Sequence, residues 1–179
     1  MKVNIQKESM KIGLNLGVFI FLIYSLTYII NPKVFLNEFF DLFIRIIVIG
    51  FGIYSINRNK KLLKGLISFK EVFTSYFVCI ASAYFIVNIG MIFIFVILDP
   101  ITAEMLHNEK IILLETSKLD LLNSNNDTSI LDLLIENLKN TSTYSISFII
   151  QGYIAKLLGN SIFGLIISLL FKTNNSQTA

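Results

Sequence analysis

Residues 72–98 read VFTSYFVCIASAYFIVNIGMIFIFVIL, without a single Asp, Glu, Lys or Arg. A helix rises about 1.5 Å per residue and about 20 apolar residues cross a hydrocarbon layer about 30 Å thick, so this stretch is long enough to span a bilayer. Lipid offers no partner to an exposed amide, which leaves helices and closed barrels as spanning folds. The alternating polarity of a barrel strand is absent, and a transmembrane helix is expected.

Three more apolar segments lie on either side, at about 12–30, 39–56 and 144–171, the second being the shortest. Of the 179 residues 54% are hydrophobic and 15% charged, with a mean hydropathy of +0.71. Soluble domains carry roughly a quarter charged residues, and a water-soluble fold of this size has too small an interior to hide so much apolar surface. The two prolines, Pro32 and Pro100, both fall between apolar runs. The expected fold is all-α, one membrane domain over 1–179 with four transmembrane helices and an external loop at 99–143. Lys2, Lys7 and Lys11 precede the first segment as in a secretory signal, but the segment is too long and Asn31-Pro32-Lys33 offers no small-x-small cleavage site. It is expected to stay as a helix.

Orientation follows from where the basic residues fall. Lys2, Lys7, Lys11, Arg58, Lys60, Lys61, Lys64, Lys70 and Lys172 flank the segments on one side, against Lys33, Lys110, Lys118 and Lys139 on the other. The first side is expected to be cytoplasmic, with both chain ends there. The opposite side holds Asp99, Glu104, Glu109, Glu115, Asp120, Asp127, Asp132 and Glu136. Within it, Leu106, Ile111, Leu114, Leu119 and Leu122 recur at helical spacing, as do Ile130, Leu131, Leu134, Ile135 and Leu138 after the cap candidates Thr128 and Ser129. Two short amphipathic helices are expected there, broken at Asn123 to Asn126.

Polar groups at membrane depth are functional candidates by default. Counting back from Arg58, Arg45 lies about 20 Å above the inner surface, in the outer third; counting back from Lys172, Lys156 lies about 6 Å from the outer boundary. Asp41, one turn from Arg45, can partner it, and a lysine stem reaches most of the way to water from position 156. Alternatively Asp41, Arg45, Asn88, Asp99, Gln151 and Lys156 line an externally open polar vestibule. Gly13 and Gly17 form a G-x-x-x-G in the first helix, and Gly152, Lys156, Gly159 and Asn160 share nearly one face of the last; small residues there permit close helix packing.

Other chemistry lacks its residues. His107, the one histidine, reads as a surface group, and Cys79, the one cysteine, as a small apolar filler. There is no zinc motif, phosphate-binding loop or dinucleotide fingerprint, so no catalytic, metal or cofactor-binding residue is expected and the chain is not expected to be an enzyme. The basic run Arg58 to Lys70 sits against the membrane and suits anionic lipid headgroups better than nucleic acid. The outward sequons at Asn126 and Asn140 carry no meaning in a bacterium.

Further local signals stand at the helix ends. Ser68 with Glu71 three positions on forms a capping box, and Asp99-Pro100 ends the third helix because proline disfavours helix for the residue before it. Lys11-Ile12-Gly13 with Gly17, the basic run Arg58 to Lys61 followed by Gly65-Leu66-Ile67-Ser68-Phe69-Lys70-Glu71-Val72-Phe73, then Leu98-Asp99-Pro100, and lastly Gly159 with Gly164-Leu165-Ile166-Ile167-Ser168 and Lys172 resemble one family over nearly the whole chain. It is the small bacterial four-helix membrane proteins known as domain of unknown function 4199. The resemblance implies a plasma-membrane protein with no assigned activity and no catalytic residues to carry over; Lys156 and Asn123 to Asn126 depart from it. The expected role is a non-enzymatic accessory or scaffold subunit in the lipid bilayer, working with another membrane protein or as a homo-oligomer. The rival is a small transporter or channel subunit in which Arg45 and Lys156 bind an anionic solute from outside.

Overall fold

The structure, a computed structural model, describes residues 4–124 and 127–173; Lys2 and half of the Asn123 to Asn126 break lie outside them. Six helices follow in order: α1 Ile5–Ile30, α2 Glu38–Leu62, α3 Phe69–Ile92, α4 Pro100–Asn123, α5 Ser129–Asn140 and α6 Ile146–Phe171. A 3-10 turn, Pro32–Leu36, joins α1 to α2, and α3 runs on through a wider π-helical stretch, Phe93–Leu98. α1, α2, α3 with its extension, and α6 are long and apolar enough to cross a membrane. Among the described residues there are no strands.

Side-chain oxygens set most of the helix starts. Asn4 accepts from the Lys7 amide, Asn37 from Phe39 and Ser145 from Phe148. Ser68 and Glu71 close the expected capping box, with the Glu71 carboxylate 2.8 Å from the Ser68 amide. Each such cap answers one of the amides a helix start leaves unpaired. At the other end of α2 the Gly65 amide reaches the Lys60 carbonyl and the Lys64 amide the Lys61 carbonyl, a Schellman closure with Lys64 at φ 56° and Gly65 at φ 90°. Asp99 leaves the helix at φ −142°, its amide bonds to the Ile94 carbonyl, and its carboxylate caps α4 with Pro100 in the first turn.

α3 is the centre about which α1, α2 and α6 pack, and the contacts are made through small residues. A Cβ placed on Gly13 would lie 2.1 Å from the Cys79 carbonyl oxygen, and one on Gly17 2.7 Å from that of Ala83. Gly52 of α2 and Gly164 of α6 both lie against the ring of Tyr76, which is wholly buried between them. At the end holding Arg58 to Lys70, the basic end, Asn59 donates to Ser9 at 2.8 Å and to Ser75 at 2.9 Å, and Ser55 donates to the Ser75 carbonyl. All four side chains are fully buried, so α1, α2 and α3 are tied by a polar knot.

At the opposite, acidic end, α4 buries Ala103 and Leu106 beside Ile94 and Phe95. α5 folds back on α4 through Lys139 to Glu115 at 2.7 Å and Lys118 to Asp132. The first of the two helices expected between residues 99 and 143 is not short: α4 has 24 residues, because Asp99-Pro100 starts it at once and no breaker intervenes before Asn123. The cap expected of Thr128 is made instead by Asp127, which accepts from the Ser129 amide at 2.9 Å.

Gly13→Val places its side chain against a backbone carbonyl that cannot move aside, and is expected to destabilise the bundle by about 1–3 kcal/mol or more. Gly50→Ala meets open space and is expected to stabilise α2 by about 0.5–1 kcal/mol. Thermal unfolding of both variants in detergent checks this; equal responses would refute the account of the α1–α3 contact.

Candidate functional site

The half of the bundle towards the acidic end gathers polar side chains from three helices. On α2, Asp41 and Arg45 stand one turn apart and pair at 2.7 Å. They line a cleft of about 780 Å³ between the start of α2 and α4, with Glu38, Lys110, Ser117 and Thr143. On α6 the Lys156 ammonium lies 5.6 Å from the centroid of the Tyr84 ring of α3, a cation–π placement, and the charges of Asp41 and Arg45 are within electrostatic range of it. Asn160, one turn on, donates to the Lys156 carbonyl at 2.8 Å, accepts from the Tyr76 hydroxyl at 3.5 Å and neighbours that of Tyr84.

Asp41, Arg45 and Lys156 therefore share one polar layer, joined by Tyr84 and Asn160. The arrangement sets two cations against one carboxylate among hydroxyl and amide groups, which suits holding an anion or keeping charges neutralised at depth. An unpaired arginine at the centre of a membrane helix costs about 2.5–3.5 kcal/mol on insertion scales, so the partner and the off-centre depth both matter. Among the described residues no three His, Cys, Asp or Glu side chains are grouped to hold a metal ion.

The other sequence candidates lie elsewhere. Asn88 donates at 2.6 Å to the Tyr84 carbonyl of its own helix, and Gln151 is exposed away from the layer. Asp99 is a structural joint: it accepts from the Tyr28 hydroxyl at 2.7 Å and from the Thr102 amide at 3.0 Å. Gly13 and Gly17 pack against α3, but a Cβ on Gly152 or Gly159 would meet nothing; α6 meets α3 through Gly164 and Ser168 instead, on another face. His107 is not a free surface group, since its Nδ1 accepts from the Thr143 amide at 3.2 Å and lies 2.8 Å from the Thr143 hydroxyl, latching α4 to the start of α6. Sequence reasoning missed Tyr76 and Tyr84, and named Asn160 only as part of a packing face of the last helix. The available signal was a pair of tyrosines eight residues apart, on one face of a helix without charged residues beyond its first turn.

The four apolar helices make this an α-helical integral membrane protein. The chain belongs to the family described as protein of unknown function (DUF4199), which matches residues 11–173 and bears out the resemblance drawn from the helix-end motifs. No curated protein and no solved structure matches it.

The hydrogen bond from the Thr102 side chain, then that from its amide and that from Tyr28, hold the Asp99 carboxyl below its ordinary 3.8. A carboxyl lowered on folding contributes stability that is complete above its unfolded pKa and lost as pH falls through the folded one. Asp99→Asn is expected to lower the unfolding midpoint at neutral pH, and the difference from the parent is expected to shrink and vanish as pH falls from 3.8 through the lowered folded pKa. A gap that persists in acid would show that the carboxylate charge is not what holds this corner.

Proposed function

We propose that this protein is a non-enzymatic accessory or scaffold subunit of a membrane complex, seated in a bacterial plasma membrane with its basic end and both chain ends in the cytoplasm. The orientation rests on the excess of Lys and Arg at that end, where the Thr173 amide bonds to the Ile67 carbonyl and Arg58 approaches Glu8. The observation that carries the role is the one-sided packing of α6. This helix is apolar over most of its surface, meets the bundle through α3, and leaves Ile154, Leu158 and Ile162 more than half exposed. Gly152 and Gly159 lie on its open surface. Lipid supplies no hydrophobic drive between helices, so association depends on close packing at such small residues, and the occupant proposed for this face is a membrane helix of a partner subunit.

A Cβ on Gly159 meets nothing within the chain, so Gly159→Ile is expected not to lower the unfolding midpoint while weakening association about tenfold, equivalent to about 1.4 kcal/mol. Cross-linking in native membranes from a cysteine at 159, in a Cys79→Ser background, reads the contact, with a cysteine at Ile46 on α2 as the control. A monomeric protein without cross-linked partner overturns the proposal.

A second reading is favoured by the outer cleft and the polar layer: a transporter or channel subunit that takes an anionic solute from outside onto Arg45 and Lys156. Arg45→Gln with Lys156→Leu is expected to abolish anion flux into reconstituted vesicles, and unchanged flux removes these residues from any such role.

A further inference from the structure

A second cleft, of about 940 Å³, opens between α1 and α2 at the basic end. Its mouth carries Lys11 of α1 and Arg58 of α2, with the Glu8 carboxylate 3.3 Å from the lysine Nζ and 3.9 Å from the arginine Nε. One carboxylate thus serves two cations, and the mouth keeps a net positive charge. Both cationic side chains are more than half exposed, so their remaining donors are free to meet an incoming group.

Behind the mouth the α2 wall of the cleft turns apolar. Ile47 and Phe51 line it, facing Ile12 and the single polar side chain of Asn15 on α1, and Gly50 faces open space where any other residue would project. From Arg58 to Ile47 the wall runs along about three turns of α2, or about 16 Å, which matches one leaflet of a hydrocarbon core about 30 Å thick. The cleft therefore has the two parts of a lipid, in the right order and at the right length. Tyr54 lines the cleft one turn from Arg58 and one turn from Gly50 on α2, a position that suits the level at which headgroup gives way to chain.

We propose that this cleft is a site for one anionic phospholipid of the cytoplasmic leaflet, its phosphate held between Lys11 and Arg58 and one acyl chain lying along the gap at Gly50. The leaflet named rests on the orientation proposed above. Basic pockets between membrane helices on the cytoplasmic side are where anionic headgroups are recognised, and the neighbouring Lys60, Lys61 and Lys64 raise the local concentration of such lipids without shaping the cleft. The polar knot of Ser9, Asn59 and Ser75 lies at the same height on the far side of α1 and α2, so the two helices hold the mouth open on a fixed base.

The full chain is reconstituted in nanodiscs of phosphatidylcholine, with and without phosphatidylglycerol, and retained lipid is counted by native mass spectrometry alongside the thermal midpoint. Phosphatidylglycerol is expected to raise the midpoint and to remain as one bound molecule. Lys11→Gln with Arg58→Gln is expected to weaken retention roughly tenfold or more. Gly50→Leu, whose Cβ meets open space and which projects into the cleft without removing a charge, is expected to do the same while leaving the midpoint in phosphatidylcholine no lower than the parent's. Lys61→Gln with Lys64→Gln is expected to keep the bound lipid, and soluble glycerol phosphate to produce no shift. The proposal is overturned if Gly50→Leu retains lipid, if the loop variant loses as much as the cleft variant, or if glycerol phosphate reproduces the effect. Both faces of a nanodisc present the same lipids, so this outcome is independent of orientation. Orientation is read separately, by an impermeant thiol reagent on intact cells, expected to label Asp120→Cys and not Lys61→Cys.

Discussion

Two backbones that touch without side chains between them, α1 against α3 at Gly13 and Gly17, set the geometry of this protein. In water such a contact would be a minor contributor beside buried apolar area. In lipid, where a leucine loses nothing by facing outward, close approach and interhelical hydrogen bonds are what distinguish one arrangement of helices from another. The approach puts Ser9 within reach of Asn59, and Asn59 in turn holds Ser75, so one steric fact aligns the polar knot that joins three helices. Tyr76 extends the same logic to the other side of α3, its ring received by a glycine on α2 and a glycine on α6.

The two ends of the bundle use different chemistry. The basic end is knotted by buried neutral groups with short side chains, which fix helices closely. The acidic end is held by longer reach: Tyr28 to Asp99, Lys33 to Glu109, and rings of Tyr24, Phe35, Phe40 and Phe95 in edge-to-face contact. The cleft lined by Asp41 and Arg45 opens at this end, between the start of α2 and α4. Charges sit near this space, where off-centre depth and nearby partners lower the penalty of keeping them in the membrane.

What the sequence disclosed and what it concealed divide along the same physics. Span positions were legible because lipid demands long apolar runs, and the capping box at Ser68 and Glu71 and the stop at Asp99-Pro100 were legible because backbone amides obey local rules. The facing of each helix was not. A helix apolar over most of its surface gives no stripe to read, so the glycines of α6 that share a face, Gly152 and Gly159, could not be told from Gly164, which does the packing. The polar layer was half visible: Asp41, Arg45 and Lys156 stood out as charges, whereas Tyr84 and Asn160 gain their place only from how α6 lies on α3.

Lys156 shows why that placement matters. A lysine on a helix with one neighbour has two ways to relieve its charge: extend along the helix towards water, or fold back onto the bundle. Here the ammonium lies 5.6 Å from the centroid of the Tyr84 ring, although the residue stays exposed. That contact ties α6 to α3 at a second level, besides the one at Gly164 and Tyr76. A helix anchored on one side by a cation and on the other by nothing is well placed to accept a neighbour without first giving up a contact of its own.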